Sequence, residues 1–60
     1  MTKEKAKLYT TARALISCYH FKAGDWVSVK YEYTAENGIR WFLCNDIVMY
    51  PETHLTRFVI

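Results

Sequence analysis

The run Trp26-Val27-Ser28-Val29-Lys30-Tyr31-Glu32-Tyr33 constrains the fold more than any other stretch of this chain. Val27, Val29, Tyr31 and Tyr33 occupy alternate positions, and Trp26, Ser28, Lys30 and Glu32 fill the places between them. Successive side chains of an extended backbone point to opposite faces, so the alternation predicts a strand with one buried face. Asn37-Gly38 follows, the pair preferred where two consecutive residues take positive φ, as in a type I′ hairpin turn. Residues 39–44 read as the returning strand, rich in aromatic and β-branched types. Asn45-Asp46 forms a second tight turn and residues 47–50 a third strand, which Pro51 ends because it has no N–H to donate. Residues 51–54 fit one 3₁₀ turn, and residues 56–60 a short last strand. The second half is thus a β-meander.

The first twenty residues leave two readings open. Leu8, Ala12, Leu15 and Tyr19 recur at helical spacing, but Thr10 and Thr11 are poor interior helix residues. Read as a strand, residues 12–17 complete a five-stranded sheet, and we favour that reading for the later part. Residues 1–6 are expected to be a short flexible tail. One domain is all that 60 residues allow. So short a chain buries only about 60% of the surface its unfolded form exposes, and it needs support from a disulfide, a metal or a partner chain.

Cys18 and Cys44 lie too far apart for a Cys-x-x-Cys motif and read as thiols buried like small hydrophobes. That removes the likeliest staple and leaves association with a partner or a second copy, in an unusually apolar chain: 52% hydrophobic and 17% aromatic.

Several function classes are excluded or disfavoured. No stretch approaches the roughly 20 apolar residues of a membrane span. The start lacks the apolar core of a secretory signal, so a cytosolic protein is the default expectation. A net charge of +2 does not by itself imply nucleic acid, and Lys3, Lys5 and Lys7 read as a solvated arm. Cys18, His20, Cys44 and His54 are potential metal ligands, but they lack the close pairs that structural zinc prefers. Ser17, Cys18 and His20 stand outside any nucleophile-elbow context. No paired carboxylates and no glycine-rich phosphate loop are present. We therefore expect a non-enzymatic protein, with no cofactor and no metal.

Over residues 12–60 the pattern resembles a small SH3-like barrel. The residues that carry the resemblance are Ala14-Leu15, Phe21-Lys22-Ala23-Gly24-Asp25, the tryptophan strand from Trp41, and Met49-Tyr50-Pro51 followed by Leu55. The resemblance implies an all-β, five-stranded SH3-like barrel. It departs from proline-binding members where Ala14-Leu15-Ile16-Ser17-Cys18 lacks the pair of groove aromatics and His54 stands in place of the groove tyrosine. Residues 47–50 also resemble a pore segment of the type II dihydrofolate reductases, small barrels active as tetramers. Val48 and Val29 stand where that activity needs polar groups.

The aromatic residues carry the functional expectation. Trp26 is expected to face away from Val27 and Val29, and Trp41 is followed by Phe42, so both faces of that strand are aromatic. Exposed apolar patches mark partner sites, and Trp and Tyr dominate interface energetics. Trp41, Tyr50 and His54, with Trp26 nearby, are the expected protein-contact residues, for a foreign partner or a homodimer. The alternative is nucleic-acid binding of the KOW type through Lys22, Lys30, Arg40 and Trp41. A more distant alternative is an oligomeric enzyme with a site between subunits. Chains that consist of little but such a barrel resemble accessory proteins of bacterial or phage genomes.

Overall fold

A computed structural model describes residues 3–60, with side chains from Lys5 onward. Five antiparallel strands make one sheet: β1 (Thr11–Ala14), β2 (Trp26–Thr34), β3 (Arg40–Cys44), β4 (Val48–Pro51) and β5 (Leu55–Val59). Their order is β4-β3-β2-β1-β5. The protein is therefore all-β, as expected, with β4 and β5 at the two ends of an open sheet. A helical turn α1 (Lys3–Ala6) precedes β1, and a 3₁₀ turn (Glu52–His54) joins β4 to β5.

β2 belongs to two ladders. Its first residues pair with β1 (Arg13 with Trp26, Ala12 with Val27, Thr11 with Ser28), and the stretch from Val29 to Thr34 pairs with β3. The change of partner falls at Ser28. There the side chain of Asn45 accepts a hydrogen bond from the Ser28 N–H at 2.9 Å, and the Ser28 carbonyl accepts one from the Asn45 N–H at 2.9 Å. A strand handed from one partner to another would otherwise leave backbone groups unpaired, and the turn residue fills the gap.

The turns divide their work differently from the sequence expectation. Asn45 and Asp46 take φ of 53° and 59°, and the Ile47 N–H donates to the Cys44 carbonyl at 3.1 Å. Two consecutive positive φ values are the signature of a type I′ turn, and Asn and Asp are the non-glycine residues that tolerate them best. The hairpin at Asn37-Gly38 is longer. There only Gly38 is left-handed, at φ 86°, the Gly38 N–H donates to the Ala35 carbonyl, and the Ala35 N–H to the Ile39 carbonyl.

The core holds Ala6, Ala12, Ala14, Phe21, Val27, Val29, Phe42, Cys44, Tyr50 and Leu55. Phe42 is its centre, in ring contact with Phe58 at 5.0 Å, Tyr31 at 5.9 Å and Tyr9 at 6.4 Å. Ala6 is fully buried and Tyr9 packs on Phe58 at 4.8 Å. The expected tail is thus corrected for residues 3–6: they form a helical turn whose last residue joins the core. The Tyr9 ring that follows this turn packs against both Phe42 and Phe58. Met1 and Thr2 lie outside the described residues. Leu8, Leu15 and Tyr19 are exposed and form no helical stripe, and β1 ends at Ala14, three residues short of the expected strand.

Candidate functional site

β3 sets the geometry of the site. Phe42 and Cys44 point inward and are fully buried, so Trp41 and Leu43 point outward, where both are half-buried. Cross-strand registers fix their neighbours: Tyr33–Trp41–Pro51 form one row and Lys30–Leu43–Met49 the next. Trp41 and Tyr33 stack with ring centroids 6.3 Å apart and planes within 2° of parallel. Tyr33 is 49% exposed and Met49 37%.

Tyr33 reaches this face through an irregularity. Simple alternation puts it with Val27, Val29 and Tyr31, on the buried side. In the β2–β3 ladder Tyr31 opposes Phe42 and Tyr33 opposes Trp41, so Glu32 is an extra residue on β2. Such a bulge bends the strand and re-aims the side chain that follows it. It converts the last tyrosine of the strand from a core residue into the partner of Trp41.

The other expected contact residues do not gather here. Tyr50 is only 6% exposed and is a core residue: it packs on Phe21 at 5.2 Å, and its hydroxyl donates to the Ile16 carbonyl at 2.7 Å. As the inward member of β4, paired with Phe42, it cannot present its ring to a partner. His54 is half-buried and rests edge-on against Tyr50 at 5.7 Å. Trp26 is 55% exposed, as its alternation predicts, but sits at the opposite end of β2 from Tyr33. It lies seven residues along β2 from Tyr33, in the part of the strand that pairs with β1 and not with β3. Tyr33, Leu43 and Met49 were missing from the expected set; the outward parity of Leu43 with Trp41 was the available signal.

The alternative nucleic-acid set is divided in the same way. Arg40 is held by Glu52, with Nε 3.1 Å from Oε1, and the same oxygen accepts the Arg40 backbone N–H at 3.0 Å. Lys30 shares the outer face with Trp41, whereas Lys22 belongs to the loop between β1 and β2.

The thiols occupy distinct environments. Burial pushes Cys44 up to about 11. Burial also raises Cys18, but backbone hydrogen bonds from His20 and Phe21 and the neighbouring Tyr50 hydroxyl outweigh it, and its pKa falls below the ordinary thiol value. Burial, followed by the hydrogen bond and charge of Cys18, pushes Tyr50 up to about 12. Among the described residues no group of three His, Cys, Asp or Glu side chains is placed to hold a metal, and no helix is long and apolar enough to cross a membrane. No family model, curated protein or solved structure matches the chain.

Proposed function

We propose that this chain is a small non-enzymatic interaction module of SH3-like barrel form. It holds a protein partner on the outer face of β2, β3 and β4, with the Trp41–Tyr33 pair as its anchor. The observation that carries the reading is that stacked pair, kept on the solvent side by the bulge at Glu32. Two parallel rings flanked by Leu43, Met49 and Pro51 offer a flat apolar area of the kind that dominates binding energy at protein interfaces. The barrel assignment is supported by the strand order, by a nine-residue β2 shared between two ladders, and by the 3₁₀ turn leading into β5.

The test compares wild type with Trp41→Ala and Tyr33→Ala, using Trp26→Ala as the control on the far part of β2. Light scattering over a concentration series reads self-association, and capture on immobilised protein reads a foreign partner. Wild type and Trp26→Ala are expected to associate, while the two face variants lose association yet keep wild-type circular dichroism. Association that survives Trp41→Ala, or a Trp41→Ala chain that unfolds, refutes the assignment.

A further inference from the structure

The formal charge of +2 conceals a segregation. From Lys5 onward, the part of the molecule made by α1, β1, the following loop, the start of β2 and β5 carries Lys5, Lys7, Arg13, Lys22 and Arg57 against Asp25 alone. The part made by the rest of β2, β3, β4 and the 3₁₀ turn carries Lys30 and Arg40 against Glu32, Glu36, Asp46 and Glu52. The first part is therefore strongly basic and the second acidic. Within the second part Arg40 is paired with Glu52 at 3.1 Å.

The basic part also has an ordered face. Ala12, Ala14, Val27 and Leu55 point into the core, so Arg13, Trp26 and Thr56 point out, and the registers align them as one row, Trp26–Arg13–Thr56. Ser28–Thr11–Val59 form the next row. No acidic residue occurs in β1 or β5. Arg13 is steadied by its Nε, which donates to the Gly24 carbonyl at 2.9 Å. That bond uses one of five guanidinium donors. Arg57, exposed beside Thr56, sits in the β5 irregularity with φ 54°, and a bulge there turns its side chain out of the regular alternation.

We propose that this outer face of β1, β5 and the first part of β2 binds single-stranded nucleic acid. Arg13, Arg57 and Lys22 contact phosphates, and one base stacks on Trp26. Charge complementarity selects a polyanion, and the exposed indole beside a guanidinium selects one with flat aromatic groups. Base–aromatic stacking between backbone-tracking cations is how single strands are held without sequence readout. This face is separate from the Trp41 surface, so it stands or falls independently of the protein-binding reading.

The test is fluorescence anisotropy of a labelled oligothymidylate of about 12 nucleotides, titrated with the full chain. Three phosphate contacts predict a slope of log K against log salt of about −2, hence roughly 20-fold weaker binding at 200 mM than at 50 mM salt. Arg57→Gly, a residue suited to that backbone conformation, and Lys22→Gln should each weaken binding and flatten the slope. Trp26→Ala should weaken it roughly 5- to 150-fold at both salt concentrations with the slope unchanged. Trp41→Ala should bind as wild type does. Circular dichroism confirms that each variant is folded. Absence of binding at 50 mM salt overturns the proposal. So does binding indifferent to Trp26→Ala, or equal affinity for heparin or phosphatidylserine vesicles, either of which would make the face a general polyanion surface.

Discussion

Two neighbouring residues of β3 should respond to truncation in opposite ways. Phe42 is fully buried and touches the rings of Tyr9, Tyr31 and Phe58. Replacing a buried phenylalanine by alanine costs about 3–5 kcal/mol, through lost transfer energy and the cavity left behind. A chain of this length, at the usual 0.05–0.15 kcal/mol per residue, has a total stability of about 3–9 kcal/mol. Phe42→Ala should therefore leave much of the population unfolded at 25 °C. Trp41 lies one residue away on the opposite face, where truncation removes a cross-strand aromatic pair worth about 1 kcal/mol. With a urea m-value near 1 kcal/mol/M, Trp41→Ala should lower the midpoint by about 1 M, and Phe42→Ala by 3 M or more. Circular dichroism is followed in the far-UV band of the β backbone, so that the midpoint reports the sheet and not the fluorescence of the tryptophan removed. If Phe42→Ala retains a midpoint within 1 M of wild type, or if Trp41→Ala is the more damaging change, the inward and outward faces of β3 have been assigned the wrong way round.

Other positions make smaller claims. Arg57 holds φ 54°, which costs an L-residue about 1–2 kcal/mol; Arg57→Gly recovers that and loses about half of it to chain entropy. A rise in thermal midpoint of about 4 °C is expected, and a fall would show that the arginine side chain stabilises the bulge by contacts of its own. Asn45→Ala removes the acceptor of the Ser28 N–H and forces alanine to φ 53°, so unfolding should become easier by about 1–2 kcal/mol. An unchanged urea midpoint would mean that the switch at Ser28 does not need this turn. Alkaline pH should also destabilise the fold. Cys44 and Tyr50 are raised to about 11 and about 12, above the 9.0 and 10.0 of free groups, so the unfolded chain releases those protons first. The contribution of these two groups is then complete below pH 9.0 and declines as pH rises towards 12, while the lowered pKa of Cys18 acts in the opposite sense and adds stability as pH rises to 9.0. A urea midpoint that holds steady between pH 8.5 and 11 would contradict it.

Much of the sheet was legible because its local signals agree. Val27 and Val29 alternate with Trp26 and Ser28, Asn45-Asp46 carries the chemistry of a tight turn, and Pro51 stands at the end of an edge strand where a missing N–H is harmless. What alternation could not show was where it breaks. The extra residue at Glu32 reverses the parity of Tyr33, and nothing about a glutamate in a strand announces a bulge. Tyr50 was misplaced for a related reason. Its place before Pro51 says nothing about which face it takes, and only the pairing with Phe42 sends it inward. The turn at residues 3–6 was hidden because its lysine-rich composition describes a solvated arm, while a single alanine methyl ties it to the core. The basic part was invisible in the net charge, because Arg13, Lys22 and Arg57 are scattered along the chain and β5 comes to lie beside Arg13 only through its pairing with β1.

That last pairing also sets an order of events in folding. β2, β3 and β4 are joined by consecutive hairpins with short loops, whereas the bond from Thr10 to Val59 spans 49 positions. Closing a loop about ten times longer costs roughly 2 kcal/mol more in chain entropy. The meander can assemble locally, but β1 and β5 must await a long-range closure. The Trp41–Tyr33 surface is complete once the two hairpins of the meander have formed. The Trp26–Arg13–Thr56 face exists only after the final strand has docked, so in hydrogen exchange the amides of β5 should be the first strand amides to open, taking that face with them.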